Sequence, residues 1–455
     1  MAAKQRGSSR RPTGMLGFTF VWSGQILSVL ASNATSFALT IWAYQTYGSA
    51  TALGVVSTSF IIPFLLLSPI AGVLVDRHSR KMMMMVSDLV AVVATVGILA
   101  ILGFGELQMW HLFVAAAIAG LGNTFQWPAY SAAITTMLPK EQYGRANGMM
   151  SLVDSGPAVF APILAGALYP IFGLRGILII DLCTFFLAIG ALMVVHIPPP
   201  RRTAEGEAAK GSMLREALFG FRYIFERKCL LRLLLFFLAL NFLFGLAYNV
   251  FDPFILERTA NSSAHLGYVR SAAAIGGVVG GLLLSLWGGF KRRMRSVFLG
   301  EAMTGCAALV LFGVSRSLPM WILAAGIGAL FFPLINGACQ SIWQAKVAPD
   351  LQGRVFSARR MIAFAIGPIT PVIAGVLADY VTEPAMTSVT WLSRTFGWLV
   401  GTSPGSGMAL QFVLAGLLYF AIVVYVFLFV PSIRNVEDLL PDHDEMETVS
   451  AGDTG

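Results

Sequence analysis

The stretch SPIAGVLVDRHSRKMMMM, residues 68–85, places a dense charge cluster between two apolar segments. It starts as an apolar helix, puts five titratable residues into the six positions Asp76–Lys81, and returns to four methionines. Charged residues make up only 12% of the chain, so their concentration here needs a physical reason. A short charged turn between two long apolar helices is typical of a membrane protein.

The composition of the whole chain supports that interpretation. Of the 455 residues, 56% are hydrophobic, and the mean hydropathy is +0.75. A soluble protein cannot cover so much apolar surface with its polar residues. Apolar runs of about 20 residues, the length of a spanning helix, occur twelve times, at 17–44, 51–75, 82–103, 109–137, 145–170, 174–196, 230–254, 266–288, 296–315, 319–345, 355–381 and 408–430.

Lysine and arginine distribute unevenly over the connections between these spans. One side carries 26 of the 31 basic residues and the other carries 5. Because basic residues stay in the cytoplasm, we expect both termini to be cytoplasmic, in a multi-pass protein of the cell inner (plasma) membrane.

The connections also predict the domain organisation. We expect a basic cytoplasmic arm (1–15), a six-helix bundle (16–196), a cytoplasmic central loop with an amphipathic helix (197–228), a second six-helix bundle (229–430) and an acidic cytoplasmic tail (431–455). Leu218 and Phe225 lie on the apolar face of the predicted surface helix. The acidic tail is expected to lack structure.

An internal repeat relates the two halves at an offset of 209 positions. LPKEQYGRANGMM faces VAPDLQGRVFSAR, which pairs Gly144 with Gly353 and Arg145 with Arg354. An acid, Glu141 or Asp350, precedes each Gly-Arg pair by the same distance. Parallel six-helix repeats are found in many secondary transporters.

Residues 72–81 read Gly-x-x-x-Asp-Arg-x-x-Arg-Lys. Here the chain resembles the major facilitator superfamily, whose signature occupies the same loop. The segments SPIAGVLVDR, YGRANGMMS and ILIID look closest to its bacterial macrolide- and drug-efflux branch. The resemblance implies an all-α integral membrane protein of 12 transmembrane helices, arranged as two parallel six-helix repeats.

The resemblance also assigns a role to the charge cluster. In the family, the equivalent of Asp76 accepts hydrogen bonds from the N-terminus of the eleventh span when the cavity faces outward. The predicted gating residues are Gly72, Asp76, Arg77, Arg80, Glu141, Arg145, Asp350 and Arg354. The alternative is that the basic residues only anchor the loop on the positive side.

For the substrate, the resemblance implies a cavity lined by the first, fourth, seventh and tenth spans. Their polar and aromatic residues at helical spacing are Trp22, Gln25, Ser32, Asn123, Gln126, Trp127, Tyr130, Asn241, Tyr248, Asn249, Asn336, Gln340 and Trp343. Such nearly uncharged walls suit bulky amphiphilic molecules. Hydrogen bonding between helices, without any substrate, is the alternative.

Coupling to protons requires a titratable group within the membrane. Asp154 lies about 15 Å along the fifth span from Gly144, and Asp252 lies on the seventh span. Both are candidate proton carriers, although a structural hydrogen bond is the alternative for Asp154. Asp88 and Asp181 resemble family positions that look structural.

These observations favour a secondary active transporter that exports amphiphilic, macrolide- or drug-like small molecules by alternating access and proton antiport. A siderophore or lipid exporter on the same fold is an alternative, and a non-transporting receptor or scaffold is another. No spacing of catalytic or metal-binding residues suggests an enzyme, a metal site or a cofactor. The expected partners are the substrate, protons and lipid, with a monomeric chain and no nucleic acid.

Overall fold

A computed structural model describes residues 12–47, 50–199, 212–260, 262–366 and 369–443. The predictions for 1–11, for 200–211 of the central loop and for 444–455 therefore lie outside the described residues. Within the described ranges the chain is helical and contains no strand.

The helices follow the apolar runs of the sequence. Their bounds are α1 Gly14–Tyr47, α2 Ala50–Arg77, α3 Arg80–Phe104, α4 Met109–Met137, α5 Tyr143–Val194, α6 Met213–Glu226, α7 Lys228–Tyr248, α8 Phe251–Arg258, α9 Ser263–Trp287, α10 Arg293–Met303, α11 Leu318–Lys346, α12 Gln352–Phe364, α13 Ile369–Val376, α14 Glu383–Thr387, α15 Trp391–Val400, α16 Ser406–Phe429, α17 Pro431–Arg434 and α18 Val436–Leu439.

Twelve spans are accounted for by these helices. Eight stretches of the described chain are long and apolar enough to cross a membrane: α1, α3, the second part of α5, α7 with α8, α9, α10 with its continuation to Val314, α11 and α16. The other four are α2, α4, the first part of α5, and α12 with α13. A wider π-helical turn extends α10 over Thr304–Leu311, and another follows α13 over Leu377–Thr382.

Two spans are shaped by local breaks. Gly173 adopts a left-handed φ of 62° inside α5 and separates the fifth span from the sixth; this conformation is readily accessible to glycine. The seventh span ends as a regular helix at Tyr248, earlier than expected. The Asn249 amide donates to the Gly245 carbonyl at 2.7 Å there, and the short α8 follows.

The predicted surface helix is present as α6. The hydroxyl of Ser212 accepts from the backbone N–H of Arg215 at 3.4 Å and caps its start. Leu218 and Phe225 remain exposed on this helix, whereas Tyr223 is buried. These exposed apolar side chains suit a helix that lies along a membrane surface.

The acidic tail is structured where it is described. The carboxylate of Glu437 accepts from the backbone N–H groups of Arg293 and Met294 at 3.1 and 3.0 Å. The buried amine of Lys346 donates to the Glu437 carbonyl at 2.5 Å and lies 3.0 Å from an Asp442 carboxylate oxygen. The expectation of an unstructured tail is therefore wrong for 431–443, because these carboxylates meet unsatisfied amides and a buried ammonium group.

Glu383 caps the last long helix, and its replacement tests that contact. Its carboxylate accepts from the N–H groups of Gly405, Gly407 and Met408 at 2.5, 2.8 and 3.3 Å. Glu383→Gln removes the negative charge at the N-terminus of α16, so we expect the free energy of unfolding to fall by about 1–2 kcal/mol. Thermal unfolding in detergent measures this loss. Replacing the exposed Glu257 in the same way is the control, and equal unfolding temperatures for both variants would contradict the capping role.

The described residues form two compact units. The first contains those within 1–142, 160–208 and 349–354, and the second contains those within 143–159, 209–348 and 355–455. The loop at 349–354 thus groups with the first four helices, and the start of α5 groups with the second unit.

Candidate functional site

Asp76 lies at the end of α2, and its side chain has no exposed surface. One carboxylate oxygen accepts from the backbone N–H of Gly353 at 2.8 Å, and the other accepts from that of Arg354 at 2.9 Å. Both amides belong to the first turn of α12, where N–H groups lack partners within the helix. The carboxylate satisfies them and interacts favourably with the positive end of the helix dipole.

Two arginines complete the surroundings of this carboxylate. Arg80 Nη2 lies 3.1 Å from Asp76 Oδ1 and donates to the Pro349 carbonyl at 2.7 Å. Arg354 Nε lies 3.3 Å from Asp76 Oδ2. Both guanidinium side chains are almost fully buried. One buried carboxylate is thus matched by two cations and two amides, which is the condition under which buried charges are tolerated.

Glycine is required at 353 by the close approach of α12 to α2. A Cβ atom on Gly353 would overlap the carbonyl oxygen of Gly72 and lie 2.6 Å from Asp76 Oδ1. The repeat-related Gly144 has a similar neighbourhood within the second unit, where a Cβ atom would overlap the Gly288 carbonyl oxygen. The two glycines matched by the repeat therefore each allow the backbone of a helix to touch another backbone segment.

The structure brings only part of the predicted gating set together. Asp350 is buried and interacts electrostatically with Arg80. Arg77, Glu141 and Arg145 are exposed, and the contacts described above do not involve them. Their part in a gate stays a prediction.

Further polar contacts lie next to the two Gly-Arg pairs. Thr135 donates to the side-chain oxygen of Gln352 at 2.9 Å. In the second unit, the Asn147 amide donates to Ser341 Oγ at 3.1 Å and to Gln344 Oε1 at 2.8 Å. Gln352 and Asn147 lie close in sequence to Gly353 and Gly144, which was the only indication that they belong to the site. A single sequence does not reveal which helix these two side chains contact.

In the first unit, two polar residues of the predicted stripes meet on Asp88. Gln25 of α1 donates to Asp88 Oδ2 at 2.9 Å. Gln126 of α4 donates to Asp88 Oδ1 at 3.1 Å and to Gln25 Oε1 at 2.7 Å. Ser32 donates to the carboxylate of Asp181 at 2.9 Å. These stripe residues therefore bind carboxylates within the protein, which is what interhelical bonding predicts.

The remaining stripe residues of the first unit differ in exposure. Tyr130 is buried, with its ring 5.9 Å from that of Phe18. Trp22 and Trp127 are half-buried, and Asn123 is exposed.

In the second unit, the predicted stripe is divided. Gln340 and Trp343 are buried against Arg359, which donates to Gln340 Oε1 and stacks 5.1 Å above the Trp343 ring. The exposed members are Asn241, Tyr248, Asn249 and Asn336. Arg359, which the sequence does not single out as a site residue, lies inside α12.

Each predicted proton carrier has an arginine beside it. Asp252 accepts three hydrogen bonds from Arg270 at 2.6–3.0 Å, and both side chains are about half exposed. Asp154 is exposed in the described structure and interacts electrostatically with Arg360.

A cavity of about 680 Å³ lies elsewhere in the first unit, at the turn between α3 and α4. Glu106 and Trp110 are among its lining residues. None of the predicted substrate residues lines it, so the cavity adds nothing to the candidate site.

A family model described as Major Facilitator Superfamily matches residues 21–371. Macrolide efflux protein A of Streptococcus pyogenes is 27% identical over 370 residues, which cover 80% of this chain and 90% of that protein. The multidrug efflux pump Tap of Mycolicibacterium fortuitum is 28% identical over 380 residues, covering 78% and 90%.

Among solved structures, the human organic anion transporter MFSD10 is similar in fold. The superposition has a TM-score of 0.62 and covers 89% of this chain and 98% of that one, at 16% identity. At this identity the likeness concerns the fold alone.

Proposed function

The chain belongs to the Major Facilitator Superfamily, and from that premise we propose that it exports macrolide- or drug-like amphiphilic molecules by alternating access, driven by proton antiport. The observation that carries the transport proposal is the buried Asp76 carboxylate on the first turn of α12. These two hydrogen bonds join Asp76 to the end of a helix and not to a packed helix face. They can therefore break and re-form together when the transporter changes conformation.

The substrate class rests on two kinds of support. Relatives that align over most of this chain are named for macrolide and multidrug efflux. The exposed or half-buried stripe residues are aromatic side chains and neutral amides, such as Trp22, Trp127, Asn123 and Asn241. Flat apolar surfaces with a few amides bind bulky amphiphiles and supply no fixed charge for a phosphate or dicarboxylate.

The proposal includes the location, the orientation and the oligomeric state of the protein. The charge asymmetry of the connections supports a plasma-membrane protein with both termini in the cytoplasm. The cluster of Asp76, Arg80 and Arg354 is then at the cytoplasmic end, and the chain acts as a monomer. Asp154 and Asp252 are the carboxyl groups that the sequence proposes as proton carriers.

Proton movement in everted membrane vesicles tests this function. The membrane is energised, a fluorescent probe reports the acidified lumen, and macrolides, cationic dyes and siderophores are added one at a time. A compound that is exported in exchange for protons should partly discharge the gradient. Vesicles without the protein are the control, and Asp154→Asn and Asp252→Asn are compared with the wild type.

The outcomes separate the candidate functions. Discharge by macrolides or dyes supports drug/proton antiport, whereas discharge by siderophores alone supports the alternative exporter. Accumulation of labelled compound without discharge contradicts proton coupling and leaves transport in place. Neither effect over the whole panel contradicts export and favours a receptor or scaffold.

A further inference from the structure

Asp88 is a buried carboxyl group that the proposed function does not yet use. It lies eight residues beyond the start of α3, about 12 Å along the helix. Gln25 is eleven residues from the start of α1, and Gln126 is eleven residues from the end of α4, or about 16 Å each. The three side chains thus meet near the middle of a hydrocarbon core about 30 Å thick.

The partners of this carboxyl group differ from those of Asp76 and Asp252. Asp76 is held by two guanidinium groups, and Asp252 is held by Arg270. Among the described contacts, Asp88 is held by two neutral amides. A cation would fix the carboxyl in its ionised form, whereas amides impose a much smaller preference.

The orientation of the two amides depends on the protonation state of the carboxyl group. In the arrangement described, their NH₂ groups donate to both oxygens of the ionised carboxylate. If both amides rotate by half a turn, the protonated Oδ2 donates to Gln25 Oε1, and the Gln25 NH₂ donates to Gln126 Oε1. Protonation therefore replaces the three hydrogen bonds of the ring by two and leaves Asp88 Oδ1 facing Gln126 Oε1.

The ring contains one acceptor to which a ligand could donate. Gln126 Oε1 is buried and accepts no hydrogen bond within the described structure. When both amides are rotated, the Gln25 NH₂ group donates to this oxygen. A hydroxyl or ammonium donor that reaches Gln126 Oε1 therefore holds the ring in the direction that suits the ionised carboxylate.

We propose that Asp88, Gln25 and Gln126 form a proton-binding site in which a bound proton and a hydrogen-bond donor of the substrate exclude each other. The assignment rests on the proposed function and deepens it. It names the proton carrier and restricts the substrates to amphiphiles that bear hydroxyl or ammonium donors. Antiport requires that substrate and proton weaken each other's binding, and mutual exclusion has this effect because substrate binding expels the proton.

The other titratable groups on the neighbouring helices are engaged or lie away from the ring. On α3, Arg80 binds Asp76, and Lys81 donates to backbone carbonyls. On α4, His111 bonds at the opposite end and Tyr130 lies one turn beyond Gln126. Asp181, on the sixth span, accepts from Ser32 and Thr95.

Infrared spectroscopy of the purified chain in lipid nanodiscs tests the proton site without any transport. Between about pH 5 and about pH 9, the wild type should lose a protonated-carboxyl C=O band as Asp88 ionises. Asp88→Asn should lack this component, because an amide of the same size does not titrate. Asp379→Asn, at an exposed aspartate of the second unit, should keep the band. A band that Asp88→Asn leaves unchanged would overturn the proposal.

Erythromycin, which carries hydroxyl and amine donors, then tests the exclusion. Adding it to wild-type protein should release protons into a weakly buffered solution and shift the Asp88 band toward the ionised form. Gln126→Met removes the acceptor, so the band should still titrate but no longer respond to erythromycin. If Gln126→Met releases as many protons as the wild type, the proposed exclusion is wrong.

A transport assay separates this proposal from the proposed function. Asp88→Asn should lower proton-driven accumulation of labelled erythromycin in vesicles about tenfold or more, and the transport that remains should no longer depend on pH. Unchanged proton-driven accumulation, or remaining transport that keeps the wild-type pH dependence, would overturn the role of Asp88. If the wild type transports nothing, the proposed function fails, and the infrared titration still decides whether Asp88 binds a proton.

Discussion

Asp76→Asn is expected to lower drug export about tenfold or more while the protein still reaches the membrane. The asparagine side chain keeps one acceptor oxygen, but its NH₂ group then faces a donor of α12 or a guanidinium. Arg80 and Arg354 lose the carboxylate that compensates their charge. Removing one partner of a buried ion pair typically costs about 3–5 kcal/mol, which is enough to displace an equilibrium between two conformations by about a hundredfold or more.

The repeat supplies a matched control for this variant. Ser285 occupies the position that corresponds to Asp76 in the second half. Its hydroxyl donates to the Gly281 carbonyl of its own helix. Ser285→Ala should therefore transport within about twofold of the wild type, since only one local hydrogen bond is lost. Accumulation of erythromycin in cells that carry each variant, corrected for the amount of protein in the membrane, measures both effects. Equal export by the two variants would contradict a gating role for Asp76.

The fold was largely predictable because the thickness of the membrane sets the length of each apolar helix, and these lengths are visible in the sequence. Long apolar helices follow from the requirement that backbone groups be satisfied within lipid. The repeat at offset 209 added the relation between Gly144 and Gly353, and the structure gives both glycines a close backbone neighbour. Breaks such as the one after Tyr248 were not predictable, since a polar turn inside an apolar run leaves hydropathy almost unchanged.

The partners of individual side chains were less predictable than the helices. Gln25 and Gln126 were chosen as substrate residues for their type and spacing, yet both bind Asp88. Helical periodicity places a residue on a face but does not identify the helix opposite that face. For the same reason the contacts of Arg359 with Gln340 and Trp343 could not be predicted.

Gly353→Ala is expected to impair export as strongly as Asp76→Asn. A methyl group at this position would overlap the Gly72 carbonyl oxygen and lie 2.6 Å from Asp76 Oδ1. The Gly72 oxygen is backbone, and Arg80 and Arg354 hold the Asp76 carboxylate in place, so the first turn of α12 must move away from α2. The two amide hydrogen bonds to Asp76 would then lengthen or break.

Gly375 provides the matched control, because the repeat also pairs it with a glycine, Gly166. A Cβ atom on Gly375 has no neighbour within 4 Å, so Gly375→Ala should export normally and fold at least as well. If Gly353→Ala acts through Asp76, the double variant with Asp76→Asn should be no worse than either single variant, since both remove the same contact. Erythromycin export by the four variants gives this comparison. Additive losses would show that Gly353 and Asp76 act independently and would contradict the shared contact.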